Sequence, residues 1–90
     1  MIEIFTTEEF ETNYKKLPLK IKKKAERKEK LFQNNPFHPL LHTEKLEPKS
    51  KEVWSFRIDR EYRVLFRFIN SDKILLLTVG HHNWIYRYKF

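Results

Sequence analysis

The chain has 90 residues, 19 Lys/Arg against 12 Asp/Glu for a net charge of +7, four histidines, a single glycine and no cysteine. Ninety residues suit one domain, 1–90, with a small core, and the absence of cysteine excludes a disulfide framework or a thiolate metal site. The longest apolar run, Ile74-Leu75-Leu76-Leu77, is too short to span a bilayer, and the start MIEIFTTEEF lacks a basic segment followed by an apolar one, so no membrane partner and no signal peptide are expected.

Residues 1–5, MIEIF, read as a short strand. A helix start follows, with Thr6 as cap and Glu9 three residues on, as in a capping box, and Phe5 against Phe10 as a hydrophobic staple. Phe10, Tyr14 and Leu17 continue at helical spacing. Pro18 ends this helix and opens a second, in which Leu17, Ile21, Ala25, Leu31 and Phe32 make an apolar stripe with lysines on the other face. Asn34-Asn35-Pro36 stops it. The product is an antiparallel helical hairpin that needs a sheet to rest on.

Residues 36–51 carry three prolines and no clean period, which predicts an irregular stretch. The pattern then changes to period two. Trp54, Phe56 and Ile58 alternate with Ser55, Arg57 and Asp59, and Tyr62, Val64, Phe66 and Phe68 with Arg63, Leu65, Arg67 and Ile69. Keeping the aromatics on one side requires Trp54 opposite Phe66, Phe56 opposite Val64 and Ile58 opposite Tyr62. The loop is then Asp59-Arg60-Glu61, which lacks glycine. Arg57 falls opposite Arg63, an unfavourable like-charge pair that calls for a carboxylate such as Asp59 or Glu61, or for a bound anion. After a turn at 70–72, KILLLTVG is apolar enough for a strand buried on both faces. On one reading the shared parity of Trp84, Tyr86 and Tyr88 continues that strand towards the C-terminus as core, and Gly80 is the point where packing ceases to constrain it. The predicted class is α+β: an N-terminal strand and a helical hairpin on one face of a small, mainly antiparallel, twisted sheet.

The charge is unevenly placed. Residues 15–30 hold nine Lys/Arg and two Glu, the whole excess of seven, and the remaining chain is neutral. Such a run is either a solvated helix face or a stripe for polyanions or an acidic protein. The bias favours the stripe, with Lys20, Lys22, Lys23, Lys24 and Arg27 as its members. Arg57, Arg63 and Arg67 share a predicted sheet face, either an ordinary exposed face or one whose guanidinium forks hold phosphate.

His81 and His82 follow Gly80, and an imidazole can give or take a proton near neutral pH. A metal site with His38 and His42 is the competing idea. It lacks carboxylate or cysteine partners at usable spacing, and Pro39 breaks a helical pair, so no metal and no cofactor are expected. Trp84, Tyr86 and Tyr88 interleave with Arg87 and Lys89, either as core or as a platform on which bases stack; Tyr86, four residues past His82, is the candidate for the site. Together these groups suit RNA phosphodiester cleavage by the adjacent 2′-hydroxyl. Arginines would stabilise charge on phosphorus, and histidine or tyrosine would move the protons. Lys45, Arg67, His81 and Arg87 complete the residues expected to face RNA.

The order of elements, the stretch W-x-x-R-x-x-x-x-Y-R-V-L-F and the ending VGHHxxxY resemble the RelE/ParE superfamily of toxins from type II toxin–antitoxin systems, over nearly the whole chain. The resemblance implies a cytoplasmic toxin neutralised by a cognate antitoxin, itself acidic and partly disordered when free. It implies either a ribonuclease that cuts mRNA on the ribosome, against mRNA and ribosomal RNA, or a DNA gyrase inhibitor without the catalytic set. A non-catalytic RNA- or partner-binding domain of the same fold is a third reading. Carried over by position, Arg57 and Arg63 match groups that hold the scissile phosphate, and His82 matches a proton-donating or charge-stabilising group. Tyr86 matches an aromatic that meets substrate. His38 and Glu61 match positions used in one histidine-using branch. Ser55 departs from the lysine-rich branch, so the resemblance implies acid–base chemistry by histidine.

Overall fold

The structure, a computed structural model, describes residues 2–88. In chain order the elements are β1 (Glu3–Thr6), α1 (Glu8–Lys15), α2 (Leu19–Asn34), β2 (Glu44–Lys45), β3 (Trp54–Arg57), β4 (Tyr62–Asn70), β5 (Lys73–His81) and α3 (His82–Ile85), with 3-10 turns at Pro39–Leu41 and Lys49–Lys51. The sheet order is β1-β5-β4-β3-β2. β1 runs parallel to β5, and every other pair is antiparallel. This is the expected α+β arrangement. β5 is an interior strand, paired on both sides, which accounts for its apolar run. No helix among the described residues is long and apolar enough to cross a membrane.

The first helix is capped one residue later than expected. Thr7, not Thr6, is the cap: its hydroxyl accepts from the Phe10 amide at 3.0 Å and donates to the Leu77 carbonyl at 2.7 Å. The second bond ties the helix start to β5 and decides between the two threonines, since Thr6 is the last residue of β1. Glu9 then misses the capping-box position and the staple geometry is lost: Phe5 is exposed, whereas Phe10 is in the core. Pro18 does separate the helices, as cap of α2.

Ile21, Ala25 and Phe32 of α2 join Phe10 and Leu17 against Phe56, Ile58, Val64, Phe66, Ile74, Leu76 and Val79 of the sheet. Phe32 is central, its ring 4.6 Å from Phe56 and 4.8 Å from Phe66. The β3–β4 register is the expected one, Trp54 with Phe66, Phe56 with Val64 and Arg57 with Arg63, and the Ile58 amide donates to the Tyr62 carbonyl. The stretch at 36–51 contains one element the sequence reading lacks, the two-residue edge strand β2. Glu44 and Lys45 pair with Ser55 and Trp54, too short a ladder for period two to register.

Two further differences concern the reverse of the sheet. A bulge places Leu65 opposite Thr78 but Phe66 opposite Leu76, so Leu77 is the extra residue on β5. Leu77 packs with Val53, Leu65 and Ile85 in a second, smaller cluster. The last strand does not continue through the aromatics. After His81 the chain turns into the four-residue helix α3, whose Ile85 is fully buried while Trp84 and Tyr86 are exposed. The expected strand parity of Trp84, Tyr86 and Tyr88 is therefore wrong. Burial selects Ile85, the one aliphatic residue out of phase with them.

Candidate functional site at the end of the central strands

The β3–β4 loop, without glycine, is closed by a carboxylate. Asp59 Oδ1 accepts the amides of Glu61 and Tyr62, each at 2.9 Å, and Oδ2 meets Lys24 Nζ at 3.3 Å. Burial opposes the charge on Asp59, but those two amides and Lys24 outweigh it and hold the carboxyl below its ordinary pKa. Arg63 finishes the loop from β4: its Nη1 donates to the Asp59 carbonyl at 2.8 Å and to the Tyr62 carbonyl at 3.1 Å.

The expected arginine face is split. Arg63 is buried, and it answers the like-charge problem by turning to backbone carbonyls rather than to the carboxylate of Asp59 or Glu61. Arg57 is exposed and lines a shallow cleft of about 200 Å³ with Lys28, His42, Asp59 and Arg60. Arg67 Nη2 donates to the Lys51 carbonyl at 3.0 Å. The three share a register face without converging on one point.

Gly80 lies inside β5, opposite Arg63, rather than at a release point. It is there because Trp84 of α3 folds back onto it: a Cβ at residue 80 would overlap the six-membered ring of the indole. Gly80 thus lets α3 fold close against the strand end.

The two histidines have different surroundings. His81 is half-buried and faces Tyr62, with ring centroids 5.3 Å apart. Its Nε2 lies 3.0 Å from Glu61 Oε2, and its Nδ1 accepts the Asn83 amide at 3.1 Å, capping α3. His82 is exposed, its ring stacked on His81 at 4.7 Å, and its amide donates to the Glu61 carbonyl at 2.6 Å. His82 belongs to α3, so the alternation of strand faces does not apply to it. Tyr86 caps the other end of α3 and is exposed. Four residues of helix put it about one turn, some 6 Å of rise, beyond His82.

Other candidates fall elsewhere. His38 caps the 3-10 turn at Pro39–Leu41, where its Nδ1 accepts the Leu40 amide. His42, not His38, stands in the cleft with Arg57. Among the described residues no three His, Asp or Glu side chains converge as metal ligands. On α2, Lys20, Lys23 and Arg27 are exposed, and Lys22 and Lys24 are half-buried. Lys45 Nζ sits 5.7 Å from the Trp54 ring centre. Arg87 is exposed just past α3, and Lys89 lies outside the described residues. Lys28 and Arg60 were not singled out by sequence, and His42 was weighed only as a metal ligand. His42 takes a left-handed backbone conformation at the end of its turn, a placement no local pattern announces.

Comparison with known proteins places this geometry in a family. The chain superposes on a YoeB/ParE toxin from Agrobacterium tumefaciens with a TM-score of 0.74 at 19% identity, over 90% of this chain and 99% of that one. It superposes on the RelB–RelE antitoxin–toxin complex from Methanococcus jannaschii at 0.73 and 22% identity, over 93% and 96% of the two chains. For the E. coli DinJ–YafQ complex the values are 0.74 and 12%, over 96% and 99%. These likenesses establish the fold. No curated protein matches the chain. The model of the family described as ParE toxin of type II toxin–antitoxin system, parDE, matches residues 4–86. The protein therefore belongs to that family, within the RelE/ParE superfamily, and is a toxin of a type II toxin–antitoxin system.

Proposed function

We propose that the toxin is an endoribonuclease that cleaves mRNA on the ribosome with its own side chains as acid, base and charge stabiliser. One observation carries the reading. The end of β5 presents His82, stacked on a histidine anchored to a carboxylate, with exposed Tyr86 one helical turn away. A fixed but accessible imidazole beside a phenol can serve proton transfer. In the step proposed, the RNA 2′-oxygen attacks the adjacent phosphorus and loses its proton to a site base. The bond from phosphorus to the 5′-oxygen breaks, and that oxygen takes a proton from the site acid. The products are a 2′,3′-cyclic phosphate and a free 5′-hydroxyl. His82 is the acid of this scheme. Tyr86 packs against or hydrogen-bonds the substrate, and Arg57 offsets charge on the phosphorane. Arg63 holds the loop that carries Asp59 and Glu61. Lys20, Lys23 and Arg27, exposed on α2, are oriented for the phosphates of ribosomal RNA.

A cognate antitoxin is the second partner in this reading. Two of the solved relatives, RelE and YafQ, are complexes with RelB and DinJ. The site of action is then the cytoplasm, where ribosomes are. A second reading, inhibition of DNA gyrase without cleavage, draws support from the match to the ParE model. Translation in a cell-free extract with primer extension on the message separates them. Ribosome-dependent cuts that disappear in His82→Ala support the nuclease. Intact message with stalled DNA supercoiling would overturn it in favour of the second.

A further inference from the structure

Glu61 and His81 are the least obvious pair near the site, because each is engaged by the other within the protein. Glu61 sits in the β3–β4 loop and reaches the end of β5 twice. Its carbonyl accepts the His82 amide at 2.6 Å, and its carboxylate meets His81 Nε2 at 3.0 Å. Every polar atom of the His81 ring is therefore in use. Since Nδ1 accepts the Asn83 amide, Nδ1 carries no proton, and the neutral ring must hold its proton on Nε2, directed at Glu61. The tautomer follows from the partner and not from an observed hydrogen.

This ring does three further things. It caps α3, it meets the Tyr62 ring at a near-right angle, and its face supports the His82 ring at 4.7 Å. A four-residue helix has too few internal bonds to fix its own direction. Its placement must come from its contacts: Ile85 in the small cluster and Trp84 against Gly80 on one side, and the His81 cap with the Glu61 carbonyl on the other. The Glu61 side chain is 65% exposed, so its bond to His81 contributes little to global stability. Its effect is directional.

We propose that Glu61 and His81 are positioning residues. Glu61 fixes the tautomer and plane of the His81 ring, and that ring sets the direction of α3 and the stacking of His82. This deepens the nuclease reading and rests on it for the reaction served. It moves Glu61 out of proton transfer, since its carboxylate is engaged by His81.

The test uses the full-length toxin with programmed ribosomes, in Glu61→Ala, Glu61→Gln and His81→Ala forms. A glutamine oxygen still accepts from Nε2 but cannot take a proton at neutral pH. Glu61→Ala is expected to lower kcat about tenfold or more with KM within about twofold, and with a melting midpoint within about 3 °C of the wild type. Glu61→Gln is expected to recover most of that loss. Imidazole nitrogen NMR provides the readout that does not depend on cleavage. His81 should show a proton on Nε2 and a bare Nδ1, and the His82 ring shifts should persist in Glu61→Gln and move in Glu61→Ala and His81→Ala. Equal inactivity of Glu61→Gln and Glu61→Ala would overturn the proposal, because it would mean that the carboxylate itself is required. Unchanged His82 shifts in Glu61→Ala would overturn it as well. If the wild type cuts no message while the NMR pattern holds, the nuclease reading fails and the orienting role of the pair stands.

Discussion

Arg57 and Arg63 face each other across the β3–β4 ladder, yet one guanidinium is exposed at the rim of a cleft and the other is buried against two backbone carbonyls. The pair escapes its own repulsion by separation of roles. Arg63 holds the loop. Arg57 is left exposed, free for the anion of the proposed reaction.

That separation predicts opposite phenotypes. Arg63→Ala removes a buried charged donor from two half-buried acceptors and should cost about 1.5–3 kcal/mol. Arg57→Ala, at an exposed position, should change stability by less than about 0.5 kcal/mol. In the proposed reaction Arg57→Ala should lower cleavage about 100-fold through loss of charge stabilisation. Urea unfolding and primer extension on the same preparations check both halves. Equal destabilisation by the two substitutions would contradict the assignment.

Gly80 and Trp84 should be energetically coupled. Alanine at residue 80 forces the indole out of its seat and should destabilise by about 1–3 kcal/mol, as overpacking does. In a Trp84→Ala background the same change meets no ring, and its cost should fall to near zero. A double-mutant cycle by chemical denaturation measures the coupling. The same cost in both backgrounds would show that something other than the indole requires the glycine.

How far the sequence could be read follows from the range of the forces involved. The β3–β4 register was legible because Trp54, Phe56 and Ile58 can be buried together with Phe66, Val64 and Tyr62 in only one alignment. The helical hairpin was legible because Pro18 and the apolar stripe are local signals. The choice of Thr7 over Thr6 depends on a carbonyl of Leu77, seventy positions away, and could not be seen locally. α3 was misread because four residues are too few to show a helical period, and the spacing of Trp84, Tyr86 and Tyr88 imitates a strand. At the candidate site, the spacing of His82 and Tyr86 was visible in sequence, but not that a short helix joins them. The attachment of His81 to Glu61 across twenty positions was not, since it exists only once β4 and β5 are paired.

Asp59 makes acid stability depend on one loop. Its folded pKa is depressed below the ordinary value, near 4 for aspartate, so the folded state favours the ionised form. That contribution is present above the unfolded pKa and is lost as pH falls through the folded one. Asp59→Asn retains an acceptor for the Glu61 and Tyr62 amides but loses the ion pair with Lys24. The variant should be less stable at pH 7 by about 1 kcal/mol or less, because the pair is partly exposed. Below pH 4 the gap to wild type should close. Thermal melts from pH 7 to pH 2.5 would show it, and a gap that widens in acid would refute the linkage.

Glu29 has the opposite sign. Burial, then Glu26 and then Glu11 push its carboxyl above the ordinary range, and burial with the charges of Glu29, Glu26 and Glu11 raises Tyr14 beside it. These groups line a groove of about 400 Å³ between β1, α1 and α2. A raised carboxyl means that the folded state prefers the protonated form. Glu29 favours folding below its unfolded pKa and works against it once pH has risen through the folded pKa. Glu29→Gln removes the charge, keeps the shape and relieves the like-charge pair with Glu26 three residues earlier on α2. It should therefore stabilise the protein at pH 7 by about 0.2–0.5 kcal/mol. The gain should vanish in acid, where wild-type Glu29 is itself neutral. Denaturation at pH 7 and at pH 3.5 distinguishes this from a packing effect, which would persist at both. A loss of stability at pH 7 would instead mean that a cation within reach of Glu29 compensates its charge.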